Sequence, residues 1–188
     1  LGENFIKKSP VCLNLGDHIL YGDGLNNTLS KIVNNFKKTT ILSAKTNFVN
    51  DSGVPFYDKK GNLKKIIEKP KKTKIKRIIC GLYFYDSEVV NRTKKLKTSF
   101  RNEYEITDLN NSYIKDQKLN IIKLNSKIFW HDAGDVLKIH NASKKIEKYE
   151  KSKGQVGCIE KIALDKKFIT KREYFNLLDS CSDYYSNY

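Results

Sequence analysis

Ile128-Phe129-Trp130-His131-Asp132-Ala133-Gly134 and, far upstream of it, Val11-Cys12-Leu13-Asn14-Leu15-Gly16-Asp17 share one form: an apolar run that ends on an aspartate beside a glycine. A strand ending this way is expected to deliver a carboxylate to the carboxyl edge of a parallel sheet, where open α/β sheets bind their ligands. Two such carboxylates meeting at one point make a hard-oxygen site suited to Mg²⁺, which keeps waters and recruits substrate phosphates. Either aspartate alone reads more simply as a turn or helix-cap residue. The pair, together with what lies between, favours the site, and Asp17 and Asp132 are the candidate metal ligands.

Working outward, residues 11–16 are expected to form a buried strand. Leu25, Leu29, Ile32, Val33 and Phe36 follow helical spacing, which predicts an amphipathic helix over 25–36. A second strand is expected over 40–44, and the strand–helix–strand order suggests a βαβ unit with parallel pairing. Val54 to Tyr57 and Leu63 to Ile67 flank a glycine-containing turn and read as a hairpin. Ile78 to Tyr85 is the strongest strand, with Asp86 placed to cap a helix near 87–95. A helix over 105–115 and short strands over 119–124 and 127–131 follow. Val136, Ile139, Ile146 and Tyr149 fall on one face of a helix over about 135–150. One or two helices fill 157–179, where Thr170-Lys171-Arg172-Glu173 has capping-box form, and the polar tail from Ser180 is expected to fray. The expected fold is α/β with a mixed central sheet. Residues 1–150 form its core and 151–188 a helical segment of the same domain.

The chain has 188 residues and a formal net charge of +15, from 36 Lys and Arg against 21 Asp and Glu. Such a charge invites a nucleic-acid reading. The lysines, however, are spread along the chain, and only Lys69 to Arg77 is dense, which reads as a solvated loop entering a strand. There is no zinc-finger spacing, no aromatic–basic RNA-binding motif and no basic heptad region. The four cysteines show neither zinc nor CxxC spacing, and Cys12 and Cys80 lie in apolar strands where a thiol is expected to be a small buried hydrophobe. With no leader-like or membrane-spanning run, a cytoplasmic setting is expected. The chain contains no Met and opens on Leu1-Gly2-Glu3-Asn4-Phe5-Ile6, which reads as the end of a helix and suggests a fragment.

Glu68-Lys69-Pro70 closes the hairpin. Pro70 cannot continue a ladder, so Glu68 and Lys69 stand at a strand end. A carboxylate there can take two sugar hydroxyls, and an ammonium is a compact charge for a phosphate. A surface ion pair is the simpler alternative.

Taken in order, Leu15-Gly16-Asp17, Gly53-Val54, Glu68-Lys69-Pro70, Gly81-Leu82-Tyr83-Phe84-Tyr85-Asp86, Glu105-Ile106-Thr107-Asp108 and Trp130-His131-Asp132-Ala133-Gly134 form a series. The chain resembles the sugar-1-phosphate nucleotidylyltransferases, and within them the thymidylyl branch, from Leu1 to about Leu178. The resemblance implies the Rossmann-like fold of the nucleotide-diphospho-sugar transferases, lacking its N-terminal strands. It implies Mg²⁺ held by Asp17 and Asp132, a sugar lined by Gly53, Glu68 and Ile79 with the aromatics Tyr83 and Trp130, and a sugar phosphate gripped by Lys69 and Arg101. It implies dTTP and glucose 1-phosphate as partners, a homo-oligomer at full length, and no nucleic-acid or membrane partner.

The chain also departs from the family's pattern. The Gly-rich loop and basic residues that bind the triphosphate are not among these residues, so the 188 residues alone are expected not to catalyse. His18 stands where the family has Asn, Pro55 interrupts a Gly-Val-Val strand, Asn102 replaces Gly, and Ala133 and Asp135 replace threonines. Uridylyl, cytidylyl or adenylyl transfer, or a non-catalytic sugar-phosphate binder, remain as alternatives.

Overall fold

The computed structural model describes residues 2–180 and opens with the short helix α1 (Glu3–Ile6). Its centre is β6 (Arg77–Tyr85), which is buried on both faces from Ile78 to Tyr85, as expected of a strand covered on each side. On either side of β6 lie β1 (Val11–Asn14) and β3 (Thr39–Lys45), both antiparallel to it. In turn β3 pairs in parallel with β7 (Leu119–Lys123), giving the sheet order β1-β6-β3-β7. The mixed sheet expected from the sequence is therefore present. The direct parallel pairing of the first strand with β3 is not: both run the same way, but β6 is inserted between them.

Side chains alternate across the sheet with the two-residue period of a strand. Ile78, Cys80, Leu82 and Phe84 face a core that contains Ile32 from α2 (Leu25–Asn34), Leu42 and Ala44 from β3, and Ile128. Ile79, Tyr83 and Tyr85 face a second core with Ile41, Ile66, Leu109 and Tyr113, the last two from α4 (Ile106–Lys115). In that core Tyr85 donates to Asn110 Oδ1 at 2.8 Å and Tyr113 donates to Asp86 Oδ1 at 2.7 Å. Asp86 also accepts from the Glu88 amide at 3.0 Å, closing the turn before the short α3 (Val89–Thr93), whose N-cap position is Glu88 and not the expected Asp86. Burial pushes the Cys80 thiol up to about 12 and raises the Tyr83 and Tyr85 hydroxyls above the ordinary tyrosine range.

The first strand departs from expectation. It is an edge strand with three of its four residues exposed, and Cys12 is exposed rather than buried. Apolar character alone does not bury an edge strand; that depends on what covers it.

The hairpin of β4 (Val54–Tyr57) and β5 (Leu63–Ile67) is present, with Gly61 at φ 82 in its turn. Helix α4 fixes it. Asn111 accepts from the Ile66 amide at 2.8 Å. The same side chain donates to the Ile66 carbonyl at 2.9 Å. Its amide thus does for β5 what a neighbouring strand would do. A separate two-stranded ribbon joins β2 (His18–Gly22) to β8 (Ile128–Asp132) antiparallel, with His18 opposite Asp132 and Leu20 opposite Trp130.

The chain divides into two compact units, Leu1–Ile139 and His140–Tyr188, and the division falls inside α5 (Val136–Lys153). The apolar stripe expected on α5 is only partly covered: Val136 and Ile139 are exposed, and Ala142 is its one buried residue. The second unit holds α6 (Ile159–Asp165) and α7 (Lys171–Ser180). Helix α7 starts with the expected capping box. Thr170 Oγ1 accepts from the Glu173 amide at 3.3 Å, and Glu173 Oε2 accepts from the Thr170 amide at 2.7 Å. The fraying expected of the tail falls, beyond Ser180 itself, outside the described residues. Among the described residues no helix is long and apolar enough to cross a membrane.

Candidate active site

Asp17 and Asp132 do come together, by a route that their strand-end motifs do not reveal. Asp17 lies in the turn between β1 and β2, and Asp132 closes β8. The antiparallel ribbon β2–β8 unites them, and not the carboxyl edge of a parallel sheet. The Ala133 amide donates to the Asp17 carbonyl at 2.7 Å, which ties the two turns together. Gly134 then leaves a gap between the carboxylates: a Cβ there would stand 3.0 Å from Asp132 Oδ1 and 3.1 Å from Asp17 Oδ2. The two oxygens are thus no farther apart than the sum of those distances. Among the described residues no group of three or more His, Cys, Asp and Glu forms a metal-holding set. Two hard carboxylates at an open cradle nevertheless fit Mg²⁺, which fills its shell with water and phosphate oxygens.

His18 braces this corner. Its Nδ1 accepts from the Gly81 amide at 2.7 Å and from the Trp130 indole at 3.2 Å. Accepting twice, Nδ1 carries no proton. Nε2 faces Asp17 Oδ1 at 3.9 Å. Burial lowers the ring's pKa below the ordinary histidine value, against the pull of the Asp17 and Asp132 charges and with a further push from Lys138. Gly81 is obligatory here, because a Cβ would lie 2.2 Å from His18 Nδ1.

Lys138, on the first turn of α5, carries no sequence signal of its own. Its Nζ lies 2.8 Å from Asp132 Oδ2 and 3.6 Å from Asp135 Oδ2. Burial works to raise the Asp132 carboxyl, but hydrogen bonds from Lys138 and the Gly134 amide outweigh it and hold the group below the usual carboxylate range. A spacing of six residues across a strand–helix corner matches no periodic pattern, so only the corner's geometry reveals it.

A second cluster gathers at the open end of the hairpin. Thr107 Oγ1 donates a hydrogen bond to Glu68 Oε2. Gly53 lies against both: a Cβ there would stand 3.1 Å from Thr107 Oγ1 and 3.4 Å from Glu68 Oε2. Ile79 donates its amide to the Gly53 carbonyl at 2.8 Å. The Tyr83 hydroxyl is raised first by burial and then by the charges of Glu68, Cys80 and Asp17, and Tyr83 and Ile79 share a core with Ile66, against which Gly53 also lies. Gly53, Glu68, Ile79 and Tyr83 therefore stand together. Trp130 does not join them: it packs against the other core and gives its N–H to His18.

Lys69 and Arg101 border this second cluster differently. Lys69 is exposed, with φ 43, directly before Pro70. That is a left-handed conformation costly for a side-chain-bearing residue, and doubly restricted before proline. Arg101 is engaged by Glu105: Nη2 lies 2.8 Å from both carboxylate oxygens and Nε 3.0 Å from Oε1. Glu103 Oε2 stands 3.5 Å away. The pairing with Arg101 lowers the Glu105 carboxyl. In the sequence, Thr107 and Glu105 are legible only as parts of the Glu-Ile-Thr-Asp run.

The paired carboxylates at Gly134 and the Gly53–Glu68–Thr107 cluster both lie in the unit built on the mixed sheet. The nucleotidyl transferase family model matches residues 1–149, and the chain belongs to that family. It is 33% identical to a glucose-1-phosphate thymidylyltransferase of Neisseria gonorrhoeae over 92% of this chain and 60% of the relative. It is 35% identical to that of Xanthomonas campestris pv. campestris strain B100 over 90% and 58%. A crystal structure of a Bacillus anthracis protein assigned as a glucose-1-phosphate thymidylyltransferase, in complex with a sucrose, superposes with a TM-score of 0.66 at 30% identity, covering 77% of this chain and 57% of that one. A UDP-glucose pyrophosphorylase complexed with UDP-glucose shares the fold at a TM-score of 0.66 and 18% identity, covering 78% and 59%. The chain thus spans less than two thirds of the length of these relatives.

Proposed function

We propose that the protein to which these residues belong transfers a thymidylyl group from dTTP to glucose 1-phosphate, giving dTDP-glucose and pyrophosphate for deoxysugar and polysaccharide precursors. The observation that carries this reading is the meeting of Asp17 and Asp132 at Gly134, in the same unit as the Gly53–Glu68–Thr107 cluster. The thymidylyltransferase relatives support the choice of substrates.

In this reading a phosphate oxygen of glucose 1-phosphate attacks the α-phosphorus of dTTP. One P–O bond forms, the bond to pyrophosphate breaks, and no proton need be removed because the attacking oxygen is already anionic. The residues therefore align and neutralise. Glu68, held by Thr107, accepts sugar hydroxyls, and Gly53 keeps the approach open. Lys69 meets the sugar phosphate. Arg101, anchored on Glu105, offers its remaining N–H groups to the same phosphate. Bound by Asp17 and Asp132, Mg²⁺ would supply positive charge to the phosphate oxygens. Free Cys12, Cys80 and Cys158 fit a reducing, cytoplasmic setting.

The test is calorimetric titration of the chain with glucose 1-phosphate and with dTDP-glucose, in Mg²⁺. Both are expected to bind, and Glu68→Gln is expected to weaken each by about tenfold or more, the worth of a hydrogen bond to a charged group. Absence of binding, or binding that Glu68→Gln leaves unchanged, refutes the assignment.

A further inference from the structure

Lys138 plays no part in the transfer as described, yet it holds one of the two carboxylates the transfer needs. Asp132 has a partner on each oxygen: the Gly134 amide on Oδ1 at 2.8 Å and the Lys138 ammonium on Oδ2 at 2.8 Å. These partners are not equivalent toward a cation. An amide leaves a second lone pair on its oxygen open. An ammonium brings a full positive charge close to any dication bound by the same carboxylate, and the two repel. The Lys138 side chain is 36% exposed and that of Asp132 19%, so water screens this corner only in part.

Asp135 completes the arrangement. Its Oδ2 lies 3.6 Å from the same Nζ, so a small swing moves the ammonium off Asp132 without leaving it unpaired. Both carboxylates are thus within reach of the one ammonium.

We propose that Lys138 is a built-in competitor for the divalent cation, an inference that rests on the Asp17–Asp132 reading above. Filling the site exchanges a tethered monovalent cation for a divalent one. The exchange is unfavourable for a free hydrated ion and favourable for one that arrives with a polyphosphate, whose negative charge both cations can share. Without nucleotide the protein holds the metal weakly, and metal and nucleotide load together.

The test uses Mn²⁺ alone, its binding to the 188-residue chain read from loss of the free-ion electron paramagnetic resonance signal. Lys138→Gln is expected to tighten Mn²⁺ binding by about threefold to tenfold, the worth of a partly screened ion pair. Lys138→Arg, which keeps the charge, is expected to stay within about twofold of the parent. Adding Asp132→Asn to Lys138→Gln is expected to remove the gain. Matching circular dichroism melts establish that the variants are folded. If Asp132→Asn abolishes binding but Lys138→Gln leaves affinity unchanged or weaker, the competitor role is wrong and the metal reading stands. If neither the parent nor Lys138→Gln binds Mn²⁺, both fall.

Discussion

Replacing Gly81 by alanine tests the brace behind the carboxylate pair. The new Cβ would stand 2.2 Å from His18 Nδ1, 2.7 Å from Cγ and 2.8 Å from Cε1, all well inside van der Waals contact. These atoms belong to a planar ring held by its own hydrogen bonds, so the ring must move as a body. Overpacking of this kind costs about 1–3 kcal/mol. The displaced ring also gives up the Gly81 amide, bound at 2.7 Å, and the Trp130 indole, bound at 3.2 Å. Leaving a buried N–H unpaired costs about 1–3 kcal/mol more. The expected loss is about 2–6 kcal/mol, a large share of the total stability of an ordinary domain. Urea unfolding followed by circular dichroism measures it. The companion variant is His18→Ala in the Gly81→Ala background. If the clash is the cause, truncating the ring recovers at least about 1.5 kcal/mol relative to additivity. A Gly81→Ala loss below about 1 kcal/mol, or no recovery in the double variant, would show that His18 is not wedged as described.

Two further outcomes follow from the geometry. Lys69→Gly is expected to be more stable than Lys69→Ala by about 1 kcal/mol. The reason is that φ 43 is strained for any side chain and free for glycine, and equal urea midpoints for the two variants would remove the strain. The pH dependence runs in the alkaline direction. The folded Cys80 thiol is raised from 9.0 to about 12, so its contribution is complete below pH 9 and is lost as pH rises from there toward 12. Urea midpoints between about pH 8 and 11 should fall, with a contribution of up to about 1.4 kcal/mol per pH unit that Cys80→Ala removes. A Cys80→Ala profile parallel to the parent's would contradict this.

The parts of the fold read correctly from sequence are those decided by short-range chemistry. Ile78 to Tyr85 is apolar at every position but Gly81, which only a strand covered on both faces explains. Asp86, Gly61 and Thr170 with Glu173 act within a few residues of themselves, as caps and turns do. What failed was pairing. The order strand, helix, strand says nothing of a later segment, and β6 came from further along the chain to separate β1 from β3. The exposure of Cys12 is part of the same failure, since an edge strand's burial is decided by neighbours rather than by its own residues. At the site, the meeting of the two aspartates was legible but not the ribbon that brings it about, and Gly53 and Glu68 were legible as residues only. Lys138 was invisible because one more lysine among so many carries no signal until a carboxylate is found 2.8 Å away. The splitting of Trp130 from Tyr83 depends on which face of β6 each packs against.

The β2–β8 ribbon also bears on how the molecule reaches its folded state. His18 and Trp130, in contact across it, are 112 positions apart in the chain. Nearly every other element must be collected before such a contact closes, because the entropy of so long a loop is lost before the contact gives any return. The cradle at Gly134 is therefore expected to be assembled late. A cation bridging Asp17 and Asp132 would bind a feature scarcely formed in the folding transition state. Its stabilisation would appear as slower unfolding, with the rate of folding left almost unchanged.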